Sequence, residues 1–313
     1  MLALLFPGQG SQRVGMGRDV FEVSPAARAV FAAADAALGM PLSRLCFEGP
    51  EPELVATEVQ QPAILAVSVA LLRALEERLD ALAPAYLAGH SLGEYTALVA
   101  SGALAFDDAL RLVRARGAFM QEAVPAGAGA MAAILGAARG AVEAACAQAR
   151  AETGELVEPA NYNAPEQTVI SGTVAAVRAA CALAKAAGAR RAVALPVSAP
   201  FHCALMAPAA DKLAPELSRI RFADPAPPVL ANATAEPNRT GSEVAELLRR
   251  QLTEPVRFTE MVGRMRSLGV TRVLEVGPGR VLAPLVARIE PALGRASLGT
   301  ADGLDAAAAF AAA

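Results

Sequence analysis

Three stretches of the chain repeat one pattern: a short apolar run, a glycine-bearing turn, then a longer segment with helical spacing of apolar positions. LALLF (2–6) leads into PGQGSQ, AYLAG (85–89) into HSLGEYTALVASG, and RVLEVG (272–277) into PGR and VLAPLVARI. Unbroken apolar runs of this length predict strands buried on both faces, and their alternation with helices predicts a parallel sheet covered on both sides. In such sheets chemistry gathers at the carboxyl ends of the strands, where these turns fall.

The stretch 127–198 has a different rhythm. AMAAILG predicts a strand, ARGAVEAACAQAR an amphipathic helix, and LVEPANYN and QTVISG two further strands. TVAAVRAACALAKAAG then predicts a helix and RRAVALPVS a last strand. This β-α-β-β-α-β order is the ferredoxin-like pattern and fits a small inserted subdomain. The C-terminal ADGLDAAAAFAAA is low-complexity alanine and predicts a loose terminal helix.

Length and composition narrow the class. At 313 residues the chain exceeds a typical single-core domain, so one large α/β domain with an insertion, or two domains, is expected. The formal net charge is -3 and the charges are scattered, which argues against nucleic acid as a partner. The 54% hydrophobic content is swollen by alanine, and no uncharged apolar run reaches the length of a membrane span. MLALLFPGQG lacks a basic start and meets Pro7 too early for a signal peptide. Cys46, Cys146, Cys181 and Cys203 show neither a CxxC pair nor metal-ligand spacing, so free thiols in a reducing cytoplasm and no metal site are expected.

Candidate chemistry centres on Gly89-His90-Ser91-Leu92-Gly93. A G-x-S-x-G between strand and helix can hold its serine on a strained turn, exposed and close to backbone N–H groups. The bland alternative is an ordinary strand-to-helix turn. A serine nucleophile needs a base, usually histidine, and the chain has only His90 and His202. His90 adjoins Ser91 on the turn and points away from its oxygen, which leaves His202 in PVSAPFHCALM. A lone histidine is more often a packed residue; the elbow and the lack of another candidate reverse that judgement. Acyl transfer also needs N–H donors for the oxyanion. Leu92, next to the nucleophile, offers one, and the PGQGSQ turn around Gln9 offers another. That turn is not a dinucleotide fingerprint, because Arg13 stands where the third glycine belongs, and the P-loop ending is absent.

In FDDALRLVRARGAFM (106–120), a helix with Asp107 as its expected cap, Ala109, Leu112, Val113 and Met120 form the apolar stripe. Arg116 falls within that stripe, whereas Arg111 and Arg114 point away. A core-facing arginine needs an anionic partner. It serves either an internal salt bridge or the carboxylate of a substrate.

With these residues assembled, the chain resembles the malonyl-CoA:acyl carrier protein transacylases and the related acyltransferase domains of polyketide synthases. The resemblance rests on FPGQGSQ (6–12), QPAIL (61–65), GHSLGEYTAL (89–98), RARGAFMQ (114–121), NYNAPEQTVISG (161–172), PFHCALM (200–206), QLTEPVRF (251–258) and LEVGPG (274–279), in order along nearly the whole length. The fold class expected is α/β, with an α/β-hydrolase-like parallel-sheet core (1–126 and 199–313) and an inserted ferredoxin-like subdomain (127–198).

The resemblance implies that Ser91 attacks the thioester of malonyl-CoA and that His202 takes its proton. The backbone N–H groups of Gln9 and Leu92 would form the oxyanion hole, and Arg116 would pair with the malonyl carboxylate. Gln251 matches the residue whose main-chain carbonyl orients the histidine, so no acidic triad member is expected. Gln61, Asn161 and Asn163 match positions near the pocket, and Phe201 resembles the malonyl-selective form. It implies a monomeric cytoplasmic transferase that needs no cofactor beyond the coenzyme A thioester, with phosphopantetheinylated acyl carrier protein as partner and neither membrane nor nucleic acid. Serine esterases share the elbow and remain the rival reading, and a non-catalytic carrier-protein scaffold is a second.

Overall fold

A computed structural model describes residues 1–197 and 199–313; Ser198, where the expected insertion ends, lies outside the described residues. The strands are β1 (Leu2–Phe6), β2 (Tyr86–Gly89), β3 (Gly129–Leu135), β4 (Val157–Ala164) and β5 (Gln167–Thr173). They continue with β6 (Arg191–Ala194), β7 (Val229–Leu230), β8 (Pro237–Asn238), β9 (Arg272–Val276) and β10 (Gly294–Leu298). Six of them form a sheet in the order β10-β9-β1-β2-β7-β8, parallel except for the short edge strand β8.

β1 shows why its sequence carries no polar residue. All five of its positions are buried. Leu2, Leu4 and Phe6 face one apolar layer, and Ala3 and Leu5 face the other. Side chains alternate across a strand, so a strand covered on both faces needs apolar residues at every position. Helices Thr57–Glu76, Phe106–Glu122, Ala207–Ser218 and Gly241–Thr253 supply the first layer, and Phe258–Ser267 and Leu282–Ile289 the second. Thr57–Glu76 is long and apolar enough to cross a membrane by length and composition, yet 83% of its most apolar window is buried inside the protein. It is a core helix.

One acid interrupts the apolar run of β9, and its carboxylate is fully engaged. Glu275 Oε1 accepts the N–H groups of Val281 and Leu282 at 2.8 Å each, and Oε2 accepts that of Ala283 at 3.0 Å and the Ser297 hydroxyl at 3.1 Å. Those N–H groups are the open donors of the helix Leu282–Ile289, so a buried carboxylate there satisfies both the donors and the helix dipole.

The strands between Gly129 and Ala194 form a separate antiparallel sheet in the order β4-β5-β3-β6. Helices Arg139–Thr153 and Val174–Ala186 pack on it over their own apolar cluster. This is the ferredoxin-like arrangement, with β6 shorter than RRAVALPVS suggested. The edge strand β4 is stitched to the larger body through Val256, whose N–H donates to Ala160 O and whose carbonyl accepts from Tyr162 N–H, both at 2.9 Å.

Two local expectations are corrected. The helix carrying Arg116 begins at Phe106 with Ala105 as its cap, so Asp107 lies in the first turn and caps nothing. Phe106 packs against the core and starts the helix ahead of the aspartates. The tail is a docked helix, Leu304–Ala312, with Leu304, Ala307 and Ala308 buried in the main apolar layer.

Candidate active site

The turn after β2 is a strained elbow. Ser91 has φ 52° and ψ -108°, in the region that disfavours side chains. The flanking glycines are required by contact rather than by flexibility. A Cβ on Gly89 would lie 1.9 Å from the Gly93 carbonyl carbon, and one on Gly93 would lie 2.0 Å from Phe6 O. The end of β2, the start of the helix Leu92–Ala100 and the end of β1 therefore meet backbone to backbone. Asn232, just after β7, holds the strain in place. Its Oδ1 accepts Ser91 N–H at 2.7 Å and its Nδ2 donates to Gly89 O at 2.7 Å.

His202 reaches the same point from the chain that follows the inserted sheet, itself at φ 59°. Its Nε2 is 2.8 Å from Ser91 Oγ, and its Nδ1 is 2.8 Å from the main-chain carbonyl of Gln251. A carbonyl only accepts, so Nδ1 carries the proton and Nε2 is left bare to receive the serine proton. Burial, and then the Arg116 charge, push the His202 pKa down to about 3, so the imidazole is neutral at physiological pH.

Arg116 lies at the centre of the site with 0% exposure. Gly117 lets its helix press against Thr57–Glu76, since a Cβ there would stand 2.5 Å from Thr57 O. Among the described residues the guanidinium's hydrogen-bond partners are all uncharged. Nη1 donates to Gln61 Oε1 at 2.7 Å, and Nη2 donates to Ser91 Oγ at 3.0 Å and to Gln251 Oε1 at 2.9 Å. Nε has no partner, and the Tyr95 ring centroid is 5.4 Å from Cζ. The internal salt bridge weighed from sequence is therefore not formed. A buried guanidinium that touches Ser91 and has no carboxylate partner among the described residues is suited to a carboxylate on a bound acyl group.

The turn after β1 abuts the elbow: a Cβ on Gly8 would lie 2.4 Å from His90 O. Gln9 is anchored by its side chain, with Nε2 donating to Gln60 Oε1 at 2.5 Å. Among the described residues neither the Gln9 nor the Leu92 backbone N–H has an acceptor. The remaining expected residues fall around this centre. Gln61 grips Arg116, and Phe201 is buried beside His202. Asn163 Oδ1 is 2.8 Å from His90 Nε2, which turns His90 away from the serine. Asn161 is buried opposite Val256 in the bridge that ties β4 to the larger body, with no hydrogen bond to Ser91, His202 or Arg116 among the described residues.

Two further residues, absent from the sequence reading, complete the centre. Asn232 is one. The other is Glu94, a buried acid in the elbow helix whose Oε2 accepts from Asn232 N–H at 3.0 Å and from Gln251 Nε2 at 2.8 Å. Gln251, expected only to lend its main-chain carbonyl, thus also joins Arg116, Glu94 and, through Nε2, Ser91 O at 2.9 Å with its side chain. A lone acid in the otherwise apolar segment LGEYTALVA was the available signal for Glu94; Asn232 carried none.

Comparison with known proteins places this geometry. Residues 3–290 match the family model described as acyl transferase domain. The malonyl CoA-acyl carrier protein transacylase of Escherichia coli K12 is 50% identical over 296 residues, 95% of each chain. An acyl carrier protein S-malonyltransferase from Vibrio cholerae, solved by crystallography, superposes with a TM-score of 0.94 at 46% identity, over 97% of this chain and 99% of that one. A malonyl-transacylase solved in complex with its type II PKS acyl-carrier protein gives 0.95 at 45% identity, over 98% and 99%. The chain belongs to the acyl transferase family, among the malonyl CoA-acyl carrier protein transacylases.

Proposed function

We propose that the protein moves a malonyl group from coenzyme A to the phosphopantetheine thiol of acyl carrier protein through an ester on Ser91. The observation that carries this reading is the position of Ser91 Oγ, with His202 Nε2 at 2.8 Å and Arg116 Nη2 at 3.0 Å. Ser91 attacks the thioester carbonyl as its proton passes to His202 Nε2. The C–S bond breaks, and the departing thiolate takes that proton. The carrier thiol then gives its proton to His202 and attacks the ester; the C–O bond breaks and Ser91 is reprotonated. The free N–H groups of Gln9 and Leu92 receive the oxyanion in both halves. Both halves balance with these groups and the thioesters alone, so the reading calls on no metal or further cofactor. The working location is the cytoplasm and the working unit the monomer.

Incubation with malonyl-CoA alone tests this. One equivalent of coenzyme A released, followed by a stall that holo carrier protein relieves, is the expected result. Steady release without the carrier would make the protein a thioesterase, and carrier acylation by Ser91→Ala would remove Ser91 from the chemistry.

A further inference from the structure

Glu94 is a buried acid joined to the elbow through Asn232 and Gln251, yet the transfer just described gives it no step. Its single oxygen Oε2 holds two residues at once. Through Asn232 it reaches the Ser91 N–H and the Gly89 carbonyl. Through Gln251 it reaches His202 Nδ1, the Ser91 carbonyl and Arg116. The Gln251 amide lies between two opposite charges, its oxygen toward the guanidinium and its nitrogen toward the carboxylate. Only one of its two flips suits that arrangement, so the pair of charges fixes the amide, and the amide polarises toward both.

We propose that Glu94 is a positioning residue of this acyl transfer: its ionised carboxylate holds Asn232 and Gln251, and with them Ser91 and His202, and its protonation closes the site in acid. The inference rests on Ser91 and His202 being nucleophile and base. Protonation would weaken the acceptor that Asn232 and Gln251 share, release the amide to flip, and remove the negative charge that faces Arg116 across that amide.

The surroundings support a transition in the working range. Burial raises the Glu94 pKa to about 7 against the opposing pull of its two hydrogen bonds and of Arg116. Among the described residues Arg116 is the cation whose charge acts on it. Tyr95 on its own helix, raised by burial to about 12, and His202, lowered to about 3, do not change charge near neutrality. His90, from the adjoining turn, is likewise lowered by burial. An acid limb of kcat/KM near neutral pH would therefore belong to Glu94 and not to the base.

The test is Glu94→Gln, which keeps the shape and an acceptor oxygen but removes the charge. With malonyl-CoA and holo carrier, kcat is expected to fall about 10- to 100-fold, with KM held within about twofold and the acid limb gone. The Tm at pH 8 should equal or exceed that of the wild type, because a carboxylate with a raised folded pKa destabilises the fold above that pKa. An unchanged kcat and acid limb would overturn the proposal, and so would a lowered Tm with the limb retained, the mark of a merely structural role. If the variant does not fold, infrared difference spectra of the wild type across a pH series decide. A buried carboxyl titrating together with the acid limb upholds the proposal, and one titrating elsewhere overturns it. Intact-mass detection of malonyl on wild-type Ser91 is the control: its absence would remove the nucleophile reading itself, whereas its presence confines any failure to Glu94.

Discussion

Asn232 clasps the strained turn of Ser91 from both sides, accepting the serine N–H at 2.7 Å and donating to the carbonyl of Gly89 at the same distance. A serine held at φ 52° relaxes unless its neighbours oppose it, and this one side chain supplies two of the opposing bonds. Asn232→Ala leaves a buried donor and a buried acceptor unmatched, at a cost of about 2–4 kcal/mol. Urea unfolding should register that loss, and stopped-flow release of coenzyme A should show slower acylation even where the variant is fully folded. Normal acylation would mean that the elbow is held without Asn232.

Arg116→Ala should cut malonyl transfer by roughly 30- to 1000-fold, equivalent to about 2–4 kcal/mol for a lost charge-assisted contact. Acetyl transfer should fall much less, because an acetyl group has no carboxylate to lose. Competition between malonyl-CoA and acetyl-CoA reads the ratio directly, and an unchanged ratio would make Arg116 structural. Arg116→Lys should recover little, since one ammonium cannot span the Gln61, Ser91 and Gln251 oxygens that the fork now joins.

Gly93→Ala should abolish folding or activity, because its new methyl would overlap the backbone of Phe6. Gly263→Ala should do the opposite. It sits inside the helix Phe258–Ser267 with nothing within 4 Å of the new carbon, so it should add about 0.5–1 kcal/mol. Thermal unfolding of the two variants side by side would separate a glycine needed for contact from one that is not.

Glu275→Ala strips the carboxylate from the N–H groups of Val281, Leu282 and Ala283. A loss of about 2–3 kcal/mol is expected, as for other buried donors left open. Hydrogen exchange should quicken first at the start of the helix Leu282–Ile289; uniform quickening across the chain would contradict a local capping role.

The neutral state of His202 makes stability depend on pH. An unfolded chain binds a proton at this residue below about 6.5, whereas the folded chain holds it neutral down to about 3, so stability is lost as pH falls through that window. Glu94 acts in the opposite sense between about 4.5 and 7, since its folded form takes up the proton first. In Glu94→Gln the His202 dependence should therefore stand out as a steeper fall in Tm from pH 6.5 to pH 4. A shallower fall would contradict the assignment.

Most of the framework was legible in the sequence because backbone burial leaves plain marks. Five apolar residues in a row announce β1, and the glycines around Ser91 announce a turn with no room for side chains. With two histidines in the chain and His90 turned from Ser91 by its place on the turn, His202 stood out as the candidate, and the apolar stripe around Arg116 located its buried face. The supporting residues left weaker marks. Asn232 is one of several asparagines, and nothing in LANAT reveals that it crosses to the elbow. Gln251 reads as one polar position in an amphipathic helix, and its side-chain bonds depend on three elements distant in sequence. In the alanine-rich tail the small side chains pack closely without a contrast of polar and apolar positions to betray it, so the docked helix looked loose.

Gln251 holds His202 with its backbone and Arg116 with its side chain. Selectivity and reactivity are thereby tied to one residue, and mutations that retune the first will not be additive with those that alter the second. Neutralising the Arg116 position to admit other acyl groups removes a hydrogen bond from the Gln251 amide, in the same residue whose main-chain carbonyl holds His202. A library that seeks new acyl specificity should therefore vary positions 61, 116 and 251 together, because improvements found at 116 alone will be capped by the base they disturb.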